Sequence, residues 1–140
     1  MGLDMYLRAK RHFFADDKVP TQIAELVGVD QEVSEVIFRA IYWRKANAIH
    51  AWFVENVQDG EDDCKSYELE KEKLIELLDL CKKALETKDA TLLPTSQGFF
   101  FGSTEIDDDY WSDIQDTITG IEKALKDFGD KFYFEYQSSW

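Results

Sequence analysis

Residues 35–57, EVIFRAIYWRKANAIHAWFVENV, contain the change of residue pattern on which the predicted fold depends. Branched and aromatic residues dominate up to about Tyr42, which favours a β-strand, with a helix continuous with the next residues as the alternative. From Trp43 onward the apolar residues recur at steps of three and four: Ala46, Ile49, Phe53 and Val57. This spacing predicts a helix over residues 43–57, which ends at NVQDG because Gly60 can adopt a left-handed conformation.

Strands are also predicted near the two ends of the chain, where apolar and polar residues alternate. Residues 2–9 read GLDMYLRA, and the last ten residues read KFYFEYQSSW. The alternating apolar positions are Leu3, Met5, Leu7, Phe132, Phe134 and Tyr136. A period of two is typical of a strand with one buried face.

Helical patterns fill most of the remaining chain. A short helix begins near Pro20 and stops at Gly28. A longer helix with a leucine-rich face covers residues 70–87, and the acidic run DDDYWSD opens another that ends at Gly129. Before it, LPTSQGFFFGST predicts a short buried strand or a tight aromatic turn. The predicted fold is therefore α+β: a single domain over residues 1–140, with a small, largely antiparallel sheet of three or four strands packed against about three to four helices.

The net charge of −13 is unevenly distributed along the chain. Residues 1–57 hold eight acidic against seven basic residues, whereas residues 58–140 hold twenty-one against nine. Such acidity repels nucleic acid, so no direct DNA or RNA binding is expected unless a small basic set acts locally. That set comprises Arg8, Lys10, Arg11, Arg44 and Lys45.

The composition also bears on the cellular compartment. No run approaches the roughly 18 apolar residues of a membrane span, and the N-terminus lacks the order of a secretory signal. Cys64 and Cys81 show no CxxC or histidine spacing, so we expect reduced thiols, with Cys81 on a buried helix face. A cytoplasmic protein that does not bind membranes is predicted.

The helix predicted over residues 43–57 places a chemically suitable set of side chains side by side. The set is Trp43, Arg44, Lys45, Asn47 and His50. Arginine offers a planar fork to phosphate or carboxylate, tryptophan a stacking surface, and asparagine and histidine directional hydrogen bonds. Steps of three and four bring such residues onto one stripe of a helix. The pattern predicts a binding site for a nucleotide or another flat anion.

Hydroxyl groups around the glycines of LPTSQGFFFGST could complete this site if they face Arg44. They belong to Thr95, Ser96, Ser103 and Thr104. The alternative interpretation is structural: Trp43 and Trp52 lie in the core, a backbone carbonyl satisfies His50, and the cations pair with the acidic half of the chain. Both interpretations stay open at this stage.

Motifs for metal binding or catalysis are weak. Asp59, Glu61, Asp63 and Glu70 occupy positions 1, 3, 5 and 12 of a calcium loop, but Cys64 stands at position 6, where glycine is needed. The chain has no G-x-S-x-G and no H-x-x-x-H. We predict no metal site, no cofactor and no catalytic residue, and we disfavour an enzyme.

Four segments, GLDMYL, YWRKANAIHAWFV, LPTSQGFFFGSTE and YQSSW, together resemble a family of small uncharacterised proteins encoded by bacteriophages and prophages. The resemblance covers most of the chain, least of all residues 10–35, and brings no catalytic residues with it. It implies an accessory role in the cytoplasm of a bacterial host cell. Small phage proteins of no obvious enzyme class often act by binding: they sequester host signals or block host defence proteins.

Three functions follow from these patterns. The favoured one is a binding protein, with homo-oligomers among its expected states, that captures a nucleotide-like anion in phage counter-defence. The second is an acidic inhibitor that mimics nucleic acid or fills a basic cleft on a host protein, suggested by DGEDD and EIDDDYWSD. The third is a small nucleotide hydrolase.

Overall fold

The structure is a computed structural model that describes residues 2–17, 19–98 and 101–140. Among these residues the strands are β1 (Asp4–His12), β2 (Glu35–Arg44), β3 (Tyr67–Leu69) and β4 (Tyr133–Ser139). They form an antiparallel sheet in the order β2-β1-β4-β3. The first and last strands of the chain are therefore the central neighbours in the sheet.

The described helices are α1 (Val19–Val27), α2 (Asn47–Asn56), α3 (Lys71–Thr87) and α4 (Asp108–Asp127), with a short 3-10 turn at Ala90–Leu92. Helices α3 and α4 pack against each other, and α4 also contacts β2. Four strands and four helices in the described part of the chain confirm the predicted α+β class.

Alternation along the strands decides which side chains enter the core. In β1, Met5 and Leu7 are fully buried, whereas Tyr6 and Arg8 lie on the opposite face and are partly exposed. The core continues through the apolar stripes of the helices, which bury Ile49, Phe53, Leu74, Leu77, Ile114 and Ile121. Helices thus cover one face of the sheet and leave the other open, as the period-two pattern predicts.

The boundary between β2 and α2 differs from the predicted one. Strand β2 runs through Trp43 and Arg44, and α2 begins only at Asn47, so the prediction of a helix from residue 43 was wrong. Trp43 continues the strand's burial pattern and pairs with Met5 of β1. Lys45 then has a φ of +56°, a left-handed conformation that separates the strand from the helix.

Two other elements depart from the sequence expectations. Strand β3 was not predicted, because three residues are too few to show alternation and its pairing with β4 defines it. Helix α1 is confirmed and is followed by Gly28 at a φ of +75°. Leu26 and Val27, two apolar residues in its last turn, are exposed.

The aromatic segment before α4 is described only in part. Phe99 and Phe100 lie outside the described residues, so the prediction of a strand or a turn there is not decided. Phe101 is buried, and Gly102 follows it with a φ of +86°.

Cys81 is a buried free thiol on α3, as predicted. Within the described ranges no helix combines the length and the apolar character needed to cross a bilayer.

Candidate functional site

Trp43, the aromatic member of the predicted site, is a core residue. Its side chain is 4% exposed, and its indole N–H donates to the hydroxyl of Thr117 in α4 at 2.8 Å. The ring packs edge-on against Phe53. Because Trp43 lies on β2 and His50 on α2, the two do not share a helical stripe. The tryptophan anchors β2 to α4.

His50 is also buried, and both of its ring nitrogens have partners. Nε2 lies 2.9 Å from Oδ1 of Asp62, and Nδ1 lies 2.7 Å from the hydroxyl of Tyr136. A carboxylate only accepts, so Nε2 carries the proton and Nδ1 accepts from the tyrosine. Burial lowers the pKa of His50, and the opposing effect of Asp62 is smaller. The fold therefore holds a neutral imidazole, satisfied by side chains rather than by a backbone carbonyl.

Asp62, His50 and Tyr136 follow the order of a carboxylate–imidazole–hydroxyl relay. Tyr136, however, has no exposed surface, and its ring stacks on Phe53 with centroids 3.8 Å apart. Burial raises the pKa of Tyr136 well above its usual range. A hydroxyl enclosed in this way cannot meet a substrate, so this relay stabilises the core.

Asn47 determines the path of the segment that follows Leu93. Its Nδ2 donates to the backbone carbonyls of Phe101 at 3.0 Å and Ser103 at 2.8 Å. Its Oδ1 accepts from the backbone N–H of Ser96 at 3.0 Å. The buried amide thus ties the first residue of α2 to both arms of the loop, and it positions the site through the backbone.

A cavity of about 310 Å³ lies between the start of α2, this loop and the first turns of α4. Five of the predicted site residues line it: Arg44, Lys45, Asn47, Thr95 and Ser103. Trp43 and His50 are not part of the lining. Residues from three separate segments of the chain therefore meet in one place, and their binding of a ligand stays a prediction.

The two cations of the lining have different surroundings. Arg44 Nη1 lies 3.0 Å from Oδ1 of Asp4, whereas Lys45 forms no ion pair with any described residue. The Lys45 stem runs between two glycines. A Cβ at Gly2 would lie 3.1 Å from Lys45 Cε, and one at Gly102 would lie 3.1 Å from Lys45 Cβ. Glycine at both positions leaves room for the lysine.

The N-terminus of α2 adds backbone donors to the lining. Ala46 precedes the helix, and no side chain caps it. The first helical hydrogen bond runs from the N–H of His50 to the carbonyl of Ala46 at 3.0 Å. The N–H groups of Ala48 and Ile49, both in the lining, therefore have no helical acceptor. Such groups attract an anion.

The hydroxyls of Thr95 and Ser103 already have partners in the loop. Thr95 Oγ1 donates to the carbonyl of Thr104 at 2.9 Å, and Ser103 Oγ accepts from the N–H of Glu105 at 3.1 Å. Both hydroxyls can still bind a ligand, because Thr95 can accept and Ser103 can donate or accept.

Carboxylates line the same cavity, and the sequence interpretation missed them as site residues. They are Glu105, Asp107, Asp109 and Asp113. The sequence predicts that the run DDDYWSD opens a helix, and Asp107 does cap α4 by accepting from the N–H of Tyr110 at 3.1 Å. No spacing in the sequence predicts that these acids line the same cavity as Lys45, because that depends on how the loop closes.

Asp113 has the most perturbed carboxyl group of this cluster. Burial raises its pKa to about 6, and the neighbouring charges of Asp116, Asp109 and Asp107 act in the same direction. The cavity thus combines a lysine with no ion-pair partner among the described residues and a carboxyl group that protonates near pH 6.

In the loop considered as a calcium site, two neighbouring carboxylates have partners within the protein. Asp62 accepts from His50 and from the indole of Trp140, and Asp63 accepts from the N–H of Lys65 and the hydroxyl of Tyr67. In the part of the chain that the structure describes, no group of three histidine, cysteine, aspartate or glutamate side chains could hold a metal ion.

Comparison with protein-family models, with curated proteins and with solved structures finds no match to this chain. Function therefore has to be inferred from the geometry of its own residues.

Proposed function

We propose that this protein is a binding protein whose cavity captures a nucleotide-like ligand with a single phosphate group. One observation carries the proposal: Lys45, the uncapped N-terminus of α2 and the carboxylates of α4 line the same cavity. The ligand that suits this lining bears one anionic group and several hydrogen-bond donors.

Lys45 and the first turn of α2 suit the anionic group. An ammonium without a carboxylate partner and the free N–H groups of Ala48 and Ile49 both favour a phosphate. Arg44 lines the cavity as well, although Asp4 already engages one of its nitrogens. This set retains the cations of the sequence hypothesis and replaces the tryptophan and the histidine with backbone donors.

The carboxylates suit the donor-rich part of such a ligand. Ring N–H and exocyclic amino groups of a nucleobase can donate to Asp109 and Asp113, both of which line the cavity. Four carboxylates in the lining also oppose the charge of a polyphosphate. The volume of about 310 Å³ is at the lower end of ligand cavities. Charge and size together favour a nucleoside monophosphate over a cyclic dinucleotide.

A protein of this kind would act by sequestration. The resemblance to phage-encoded proteins suggests an accessory role in the host cytoplasm, where removal of a nucleotide signal would weaken a host defence. The supporting features are the binding-type lining and the burial of His50 and Tyr136, which keeps the tyrosine hydroxyl from a substrate.

Isothermal titration calorimetry and thermal shift test the proposal, with nucleoside monophosphates, the matching nucleosides and cyclic dinucleotides as probes. We expect a monophosphate to bind best and to raise the melting temperature. Lys45→Ala should weaken monophosphate binding about tenfold or more, because a hydrogen bond to a charged group contributes about 1.5–3 kcal/mol.

Lys131→Ala is the matched control, since Lys131 is exposed and lies outside the cavity lining. It should leave the affinity unchanged. Absence of binding by every probe to the wild-type protein would overturn the proposal. If the nucleoside and the monophosphate bind equally well and Lys45→Ala changes neither affinity, the proposed recognition of phosphate would be refuted.

A second candidate function is the acidic inhibitor of a basic host protein. Its support is the cluster at the start of α4, where Asp107, Asp108, Asp109 and Asp113 form no ion pair with described residues. A cationic partner would relieve this repulsion. Pull-down from host lysate should then recover a partner at low salt and lose it at high salt. Recovery of no partner at low salt speaks against it.

A further inference from the structure

The two edges of the sheet differ in how they are protected. Strand β3 is a short edge of three residues, with Glu68 at its centre. Strand β2 is an edge of ten residues without proline or lysine, and it pairs only with β1 among the described strands. Its residues make no backbone hydrogen bond to any other described segment. Natural proteins shorten, charge or cover an edge of this length unless another strand pairs with it.

Besides Arg39 and Arg44, the exposed side chains of β2 are large aliphatic or aromatic ones. Ile37, Phe38 and Tyr42 are 53%, 48% and 47% exposed. Only Glu35, Arg39 and Arg44 are charged within the strand. A partner strand would cover the apolar side chains and satisfy the outer N–H and C=O groups.

A β-bulge in β2 determines which kind of strand can pair with its free edge. Leu7 pairs with Ile41 and Arg8 with Arg39, so Ala40 is an extra residue in β2. Residues that pair across two strands point to the same face of the sheet. On the face away from the core, β2 therefore presents odd-numbered residues before Ala40, such as Ile37, and even-numbered residues after it, such as Tyr42. In a regular strand that parity would not change.

This change of parity makes β2 complementary to a second copy of itself. The twofold axis of an antiparallel pair would pass between Arg39 and Ala40. The pairs would then be Glu35 with Arg44, Val36 with Trp43, Ile37 with Tyr42, and Phe38 with Ile41. Each of these four pairs joins residues of the same face, opposite charges meet at both ends, and Arg39 lies opposite Ala40 of the other copy at the axis. A shift of the register by two residues keeps the faces but loses the Glu35–Arg44 pairs.

We propose that β2 is a homodimer interface, in which two copies of the chain join their sheets edge to edge through residues 35–44 in this register. A twofold, self-complementary contact is the commonest form of oligomer. Arg44 can serve both partners, because its guanidinium carries five donors and Asp4 engages Nη1.

Sedimentation equilibrium of the full chain tests the proposal. We expect the wild type to dimerise, and Ile37→Lys to raise the dissociation constant at least tenfold, because it places a charge on the edge. Ile106→Lys is the matched control, since Ile106 is 46% exposed and lies outside the strand. A wild type that is monomeric at about 1 mM would overturn the proposal. So would an Ile106→Lys variant whose dimer dissociation constant rises as much as that of Ile37→Lys.

Disulfide trapping tests the register even if Ile37→Lys folds poorly. In a Cys64→Ser background, Ile37→Cys combined with Tyr42→Cys should give covalent dimers, because paired positions lie within disulfide distance. Ile37→Cys alone should give few, since its partner position is Tyr42 of the other copy. Equal trapping by the single and the double variant would refute the register.

Discussion

Replacing Asp113 with asparagine should stabilise the protein near neutral pH. Burial and three neighbouring carboxylates raise the pKa of Asp113 from its usual 3.8 to about 6. The folded state therefore holds a proton that the unfolded chain has already lost between those pH values. No side-chain hydrogen bond or ion pair of Asp113 appears among the described residues to offset this. Asparagine has almost the same shape and no charge.

The sign and the size of the effect follow from linkage. For an acid whose pKa is raised by folding, stability falls as the pH rises through the interval between the two pKa values. A difference of about 2 in pKa corresponds to about 3 kcal/mol at pH 7 and above. Solvent around this partly exposed group screens the charges, so we expect a gain of about 1–2 kcal/mol from Asp113→Asn. Below about pH 4 both states are protonated, and the gain should vanish.

Urea denaturation of the wild type and of Asp113→Asn, repeated from pH 4 to pH 8, measures this difference in the free energy of unfolding. Asp79→Asn is the matched control, because Asp79 is an exposed aspartate in the interior of α3. It should change stability by less than about 0.5 kcal/mol at any pH. A gain from Asp113→Asn that is independent of pH, or a loss at pH 7, would refute the electrostatic explanation.

Two further substitutions test how the cavity is built. Asn47→Ala removes three hydrogen bonds to the loop at residues 96–103. We therefore expect the free energy of unfolding to fall by about 3 kcal/mol relative to the wild type. Limited proteolysis should also cleave that loop faster than in the wild type. Thr117→Val leaves the indole N–H of Trp43 buried without an acceptor and should cost about 1–3 kcal/mol in urea denaturation. Thr119→Val, at an exposed position of the same helix, should change stability far less, and equal losses would contradict the role of the indole hydrogen bond.

The elements that the sequence predicts well are those whose burial repeats over many residues. Helix α4 spans twenty residues, and its buried apolar residues Tyr110, Ile114, Ile118 and Ile121 recur at helical spacing. Strands β1 and β4 show the period of two over seven or more residues. In each case one face of the element is buried and the other is exposed to solvent, so apolar and polar residues alternate regularly along the chain.

The elements that the sequence predicts poorly depend on distant partners. Trp43 fits either a helix or a strand by its neighbours alone, and its pairing with Met5 of β1 decides for the strand. Strand β3 exists because Tyr67 and Leu69 fall opposite Tyr136 and Phe134 of β4. Short segments carry too little periodicity to outweigh such long-range contacts.

For the site, the sequence by itself determined the residue types: cations after the strand, an asparagine at the start of the helix and hydroxyls around the glycines. Only the tertiary structure decided which of them meet. It placed Trp43 and His50 in the core, made Asn47 an anchor of the loop, and put Lys45 and carboxylates of α4 in the lining of one cavity. Side-chain chemistry is a local property of the chain. A cavity, in contrast, forms where separate segments pack together, and the spacing of residues within a single segment does not predict that packing.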